Sequence, residues 1–221
     1  MIKTPLLALA LTVLLLGTAP EARAHPHGWI DLGVVVHFDQ QGRVTALEQR
    51  WRMDPFYSLV VMEELAADAS ETSMEQRLDR LGLEIRDNLA AQQYFTELSH
   101  GGQPLALGDV ENYSVRRRDD RLVFSFLLPL ATPLAPGDMP LRYRIFDPSY
   151  YIEVVHEADD EGPRMDALTL RGAADDCAAR IISADPDPAR VAEAAQLDID
   201  ETAEPGLGRF FAETGEVTCQ S

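Results

Sequence analysis

Short runs rich in Val, Ile, Leu and aromatic residues, separated by compact turn signals, constrain this chain more than any other feature. Trp29 to Phe38 and Val44 to Met53 are two such runs, joined by Asp39-Gln40-Gln41-Gly42. Alternation of apolar and polar residues around a Gly-containing turn predicts a β-hairpin. Strand-like runs return at Tyr94 to Leu98, Asn112 to Arg117, Leu122 to Leu130, Leu141 to Phe146, Tyr150 to His156 and Met165 to Leu170. Turns at His100-Gly101-Gly102 and Asp119-Asp120, and a loop at Pro133, Pro136 and Gly137, punctuate them. Asp54-Pro55 ends the second run, because proline has no N–H for a ladder. Phe56 to Leu65 and Met74 to Leu89 then carry helical spacing. The expected fold is α+β and mainly β: an antiparallel sandwich or curved sheet, with a helical insertion at about 55–92.

The first residues do not fit this pattern. Lys3, the apolar run Leu6 to Leu16 and the small-x-small sequence Ala22-Arg23-Ala24 read as a signal peptide over 1–24. Cutting after Ala24 leaves 197 of the 221 residues, starting at His25. A span would need roughly 20 apolar residues, and Gly17, Pro20 and Glu21 interrupt the run before that. The expected product is exported and not membrane-spanning. It holds two cysteines, Cys177 and Cys219, 42 positions apart and lacking zinc-type or C-x-x-C spacing. In an oxidising compartment such cysteines pair, so a disulfide is expected to close a C-terminal segment at 176–221 that follows the β-rich domain at 25–175. A short helix is expected near Ala189 to Gln196.

Charge and motifs exclude several functions. With 37 acidic residues against 19 basic and a net charge of −18, nucleic acid is not an expected partner. The chain has no G-x-S-x-G elbow and no phosphate-binding Gly loop.

The residue types at the expected cut point to a metal. A free amine at His25, whose pKa is about 7.7 to 8.0, loses its proton readily to a metal and chelates together with the imidazole. In an extended chain His25, His27, Trp29 and Asp31 share one face. Amine, imidazoles and carboxylate suit Zn, Cu, Ni or Co better than Mg or Ca. Pro26 blocks the square-planar amino-terminal motif, which needs a deprotonated amide at that residue. The bland alternative is a loose exported tail.

The other histidines join this group less readily. His37 lies about 33 Å further along a straight strand. His100 reads as an exposed turn residue, and His156 precedes the acidic run Glu157, Asp159, Asp160 and Glu161. Asp147 in Asp147-Pro148-Ser149-Tyr150-Tyr151 is a rim carboxylate and a candidate to complete the shell, whereas Asp54 is better explained as the cap of the helix at Phe56.

The segment His25, Pro26, His27, Ile30 and Asp31 carries a family resemblance. With it go Trp51, Asp54, Phe56 and Tyr57; Asp147, Pro148, Tyr150 and Tyr151; and Leu207, Gly208, Phe211, Ala212 and Cys219 with Cys177. The chain resembles exported proteins, a domain of unknown function, described as the periplasmic component of an ABC-type transport system and associated with nickel, cobalt and other divalent-metal transporters. The resemblance covers nearly all of the processed chain. It implies a metal-binding accessory and not an enzyme, with a membrane transporter or permease as partner and a divalent transition metal (Zn, Ni, Co or Cu) as cofactor. The expected ligands are His25, His27, Asp31 and Asp147. One departure stands out: relatives carry a D-x-D-x-D-G stretch after the first helix, where this chain has Asp68-Ala69-Ser70-Glu71, so no calcium loop is expected. Two rivals remain. One is a copper enzyme with an amino-terminal His brace, which needs His100 or His156 beside His25; the other is a structural adaptor.

Overall fold

Alternation with a period of two governs the first strand of the computed structural model, which describes residues 26–68, 73–174, 176–197 and 203–220. In β1 (Gly28–Phe38), Ile30, Leu32, Val34 and Val36 enter the core, and Trp29, Asp31, Val35 and His37 take the other face. The turn is fixed by Asp39, whose carboxylate accepts from the backbone N–H groups of Gln41 and Arg43, each at 2.9 Å. β2 (Val44–Met53) then returns antiparallel, from Phe38 opposite Val44 to Ile30 opposite Met53.

Capping chemistry sets the helical insertion. Asp54 caps α1 (Pro55–Ala67) by accepting from Tyr57 N–H at 2.9 Å, with Pro55 in the first turn. Ser73 and Gln76 form a capping box on α2 (Met74–Ala90). These helices occupy the stretch expected to be helical, and Leu78 of α2 reaches the core.

The remaining strands are β3 (Thr96–His100), β4 (Gln103–Pro104), β5 (Tyr113–Arg118), β6 (Arg121–Leu134), β7 (Leu141–Ile145), β8 (Ile152–His156), β9 (Ala158–Asp159), β10 (Gly162–Pro163), β11 (Leu168–Arg171), β12 (Cys177–Ile182) and β13 (Thr214–Cys219). Between the last two lie α3 (Pro188–Gln196) and α4 (Gly208–Phe211). One sheet runs β11-β1-β2-β6-β5, with β8 also on β1; the other runs β12-β13-β7-β3-β4. Trp51, Phe124 and Phe126 from the first sheet and Leu98, Leu141, Tyr143 and Val217 from the second belong to one core. The protein is thus mainly β, with largely antiparallel sheets, a helical insertion and the expected Cys177–Cys219 disulfide.

Several details depart from the sequence reading. β8 and β11 pair with β1 in parallel, end to end along its edge, so the first sheet is mixed. β6 continues through Pro133 to Leu134 instead of ending at a loop there, because a register irregularity near Val44 accommodates the extra residues. β12 and β13 were not expected as strands. They form one flank of the second sheet, β13 pairs with β7, and the disulfide closes the last rung of their ladder, Cys177 opposite Cys219. The C-terminal segment is therefore part of the sandwich. The expected signal peptide and its cut, His25, and Ala69 to Glu71 lie outside the described residues.

Candidate functional site

The segment leading into β1 is tied down. Parallel pairing of Gly28 with Ile152 continues backward, and the His27 N–H donates to the Tyr151 carbonyl at 2.9 Å. The His27 ring packs on the Tyr151 ring, with centroids 4.5 Å apart and planes tilted by 40°. His27 is half-buried. At this residue a loose tail is not what the fold produces.

His27 lines a cleft of about 460 Å³ together with Gly28, Trp29, Asp54, Tyr57 and Phe95. Asp54 has two jobs there. Its Oδ1 caps α1, while a Cβ at residue 28 would stand 2.8 Å from its Oδ2. Only glycine at 28 leaves room for a carboxylate this close to the backbone beside His27. Asp54 N–H donates to the Trp29 carbonyl at 3.0 Å, which fixes the helix start against β1. Burial, with the nearby Glu64 and Asp54 carboxylates, pushes the Tyr57 hydroxyl above its ordinary pKa, so it stays protonated.

The cleft floor is aromatic and internally braced. The Trp51 indole N–H donates to Gln49 Oε1 at 2.9 Å, Gln49 Nε2 donates to Thr96 Oγ1 at 2.9 Å, and Thr96 Oγ1 donates to the Tyr94 carbonyl at 2.8 Å. Gln49 is fully buried, so this relay satisfies amide atoms that would otherwise be costly. It ties β2 to a left-handed turn at Gln93–Phe95 (φ 51°, 54° and 55°), which lays Phe95 near-parallel to Trp51 at 6.1 Å.

The structure separates the expected ligands. Asp31 Oδ2 is held by Arg52 Nη2 at 3.0 Å and Arg121 Nη1 at 2.6 Å. It belongs to a charge ladder on the outer face of the first sheet that continues through Arg52 and Arg50 to Glu157. Asp147 accepts four hydrogen bonds: from Ser149 N–H and Oγ at 2.9 and 2.8 Å, and from Tyr151 and Ile152 N–H at 3.1 Å each. Those donors occupy its lone pairs. Asp147 therefore shapes the turn that presents Tyr151 to His27. The carbonyl of Asp147 fills the place a Cβ would take at Gly208, which explains the glycine there.

The other histidines are engaged elsewhere. His37 Nε2 meets Glu48 at 2.7 Å. His100 is half-buried, not an exposed turn residue, and its Nε2 lies 2.6 Å from the Pro136 carbonyl. His156 is buried, with Nδ1 on Glu213 at 2.8 Å and Nε2 on the Tyr143 hydroxyl at 2.8 Å. Burial and Glu213 push the Tyr143 hydroxyl well up. Burial also pushes the Glu213 carboxyl up, but hydrogen bonds from the His156 ring and backbone outweigh it and hold the group below its usual range. No group of three or more His, Cys, Asp and Glu arranged to hold a metal occurs among the described residues.

What the sequence did not reveal is the partnership of His27 with Tyr151 and of Gly28 with Asp54. The available signal was a glycine inside a strand, which marks a close approach. No curated protein is detectably similar. A family profile matches residues 9–219, nearly the whole length, and its description is a protein of unknown function, DUF1007. The chain that folds into this two-sheet sandwich with its cleft at His27 belongs to the DUF1007 family.

Proposed function

We propose that the protein is an exported, periplasmic accessory of a divalent-metal transport system. It holds Zn, Ni, Co or Cu at the His25-Pro26-His27 segment and exchanges the ion with a membrane transporter or permease. One observation carries the reading: His27 is immobilised on Tyr151 at the mouth of a cleft that also holds the Asp54 carboxylate. The His27 imidazole and the Asp54 carboxylate, joined by the amine that a cut before His25 would free, make a donor set of borderline hardness, suited to these ions. Asp54 takes the place of Asp31 and Asp147 as the acidic ligand in this reading, since Asp147 already accepts four hydrogen bonds and Asp31 Oδ2 is tied to two guanidiniums. Exposed Trp29, Phe56, Tyr57 and Tyr151 rim the cleft, and a cluster of this kind suits contact with a transporter.

The copper-enzyme alternative needs a second, remote imidazole. Both ring nitrogens of His156 are engaged, and His100 is bonded to Pro136, so the accessory reading is favoured. The test is calorimetric titration with Zn, Ni, Co and Cu of protein starting at His25 and of protein with one extra residue before it. Tight binding by the first form and weakening in the second is expected. Equal affinity in both forms eliminates the amine, and absence of binding by all four metals overturns the proposal.

A further inference from the structure

The outer face of the second sheet carries a separate concave site of opposite character. A cleft of about 430 Å³ opens over β3 and β7, and three arginines converge on it: Arg142 and Arg144 from β7 and Arg209 from α4. The register explains the convergence. Ser99 stands opposite Arg142 and Glu97 opposite Arg144 on one side, and Glu216 stands opposite Arg142 on the other. Side chains two apart on β7 share a face, so both guanidiniums leave the sheet together.

Two of the three are neutralised within the protein. Arg142 Nε donates to Glu216 Oε2 at 2.6 Å, and Arg180 holds the other oxygen of Glu216 at 2.6 Å. Arg209 Nε donates to Glu97 at 2.9 Å. Arg144 differs. Its Nε donates to the Thr214 hydroxyl at 2.9 Å, yet among the described residues no carboxylate lies within 4.0 Å of its guanidinium. The other half-buried arginines of the described residues, Arg52, Arg77, Arg86, Arg121 and Arg190, each have such a partner. Burial and the neighbouring Arg209 and Arg142 push the Arg144 pKa down, and the Glu97 carboxylate opposite it on β3 offsets them only in part. A half-buried cation held by one neutral hydroxyl at the wall of a cavity is costly unless something else supplies the counter-charge.

We propose that this cleft binds a small oxyanion, a carboxylate or phosphate group on a soluble molecule. The two remaining nitrogens of Arg144 make the central forked contact, and Arg142 and Arg209 flank it. The fork of a guanidinium matches the two oxygens of such a group, and Ser99 and Gln93 add neutral donors at the wall. The net charge of −18 means that the surface at large repels anions, so binding here depends on these residues at short range.

The experiment is calorimetric titration of the full, disulfide-bonded protein with succinate, citrate and inorganic phosphate at low ionic strength. Saturable binding of at least one is expected, and the member that binds distinguishes a carboxylate from a phosphate ligand. Arg144→Gln should weaken it by about tenfold or more. Arg118→Gln, an exposed arginine on β5, should leave it unchanged. Should Arg144→Gln unfold early by circular dichroism, Ser99→Trp, which fills the cleft with every guanidinium in place, should abolish binding instead. Absence of saturable binding by all three compounds at millimolar concentration overturns the proposal. So does wild-type affinity in a folded Arg144→Gln or Ser99→Trp protein.

Discussion

Three aspartates end in different roles, and the difference lies in how many donors each meets. Asp147 meets four and Asp31 meets two guanidiniums, whereas Asp54 spends Oδ1 on a helix cap and turns Oδ2 toward Gly28. Asn caps a helix about as well as Asp but carries no charge. Asp54→Asn should therefore keep the wild-type melting temperature, while Asp54→Ala costs about 1 kcal/mol in denaturant titration. Under the proposed function both lower metal affinity.

Neighbouring Glu153 and Glu213 make a sharper residue-scale test. Burial and the Glu213 charge push the Glu153 carboxyl above its unfolded value of 4.5. Its ionised form thus costs stability once the pH rises through the folded pKa. Glu153→Gln should raise the melting temperature at about pH 7, and the gain should vanish at about pH 3, where both states are protonated. Glu213 is shifted the other way, so its contribution is present above its unfolded value of 4.5 and is lost as pH falls through the lower folded pKa. Glu213→Gln should lower the melting temperature at neutral pH, with the deficit closing on acidification.

At the scale of elements, legibility followed locality. The opening hairpin could be read from Ile30, Leu32, Val34 and Val36, and α2 from Ser73 with Gln76, because period and caps are encoded within a few residues. β13 could not. Its buried Glu216 breaks the apolar alternation and is tolerated only because Arg142 and Arg180, from two other strands, neutralise it. The left-handed turn at Gln93–Phe95 was equally hidden, since no glycine marks it. Exposed Gln93 sits at φ 51° on a non-glycine residue, which costs on the order of 1 kcal/mol, so Gln93→Gly should stabilise the protein by about 0.5 to 1 kcal/mol in urea titration. His27 was visible as a residue type, but its companions at 54 and 151 arrive through strand pairing that no local pattern encodes.

For the whole molecule, the disulfide closes a separation of 42 residues at the free end of the β12–β13 ladder. In the chain-entropy account a loop of this size contributes about 3 to 4 kcal/mol, so Cys177→Ser with Cys219→Ser should lower unfolding free energy by roughly that amount. The parallel neighbours of β1 have a different consequence. Gly28 meets Ile152, and Val34 meets Leu168, across separations of 124 and 134 residues. The strand made first therefore waits for chain made much later before its second edge is covered, and such non-local pairing folds slowly. A chain threaded out of the cell from its amino terminus would emerge with an open strand edge and His27 unanchored. Under the proposed function, ion capture at that histidine would then begin only once residues 151 and 152 had emerged and paired alongside β1, so occupancy of the cleft would report that this edge had closed.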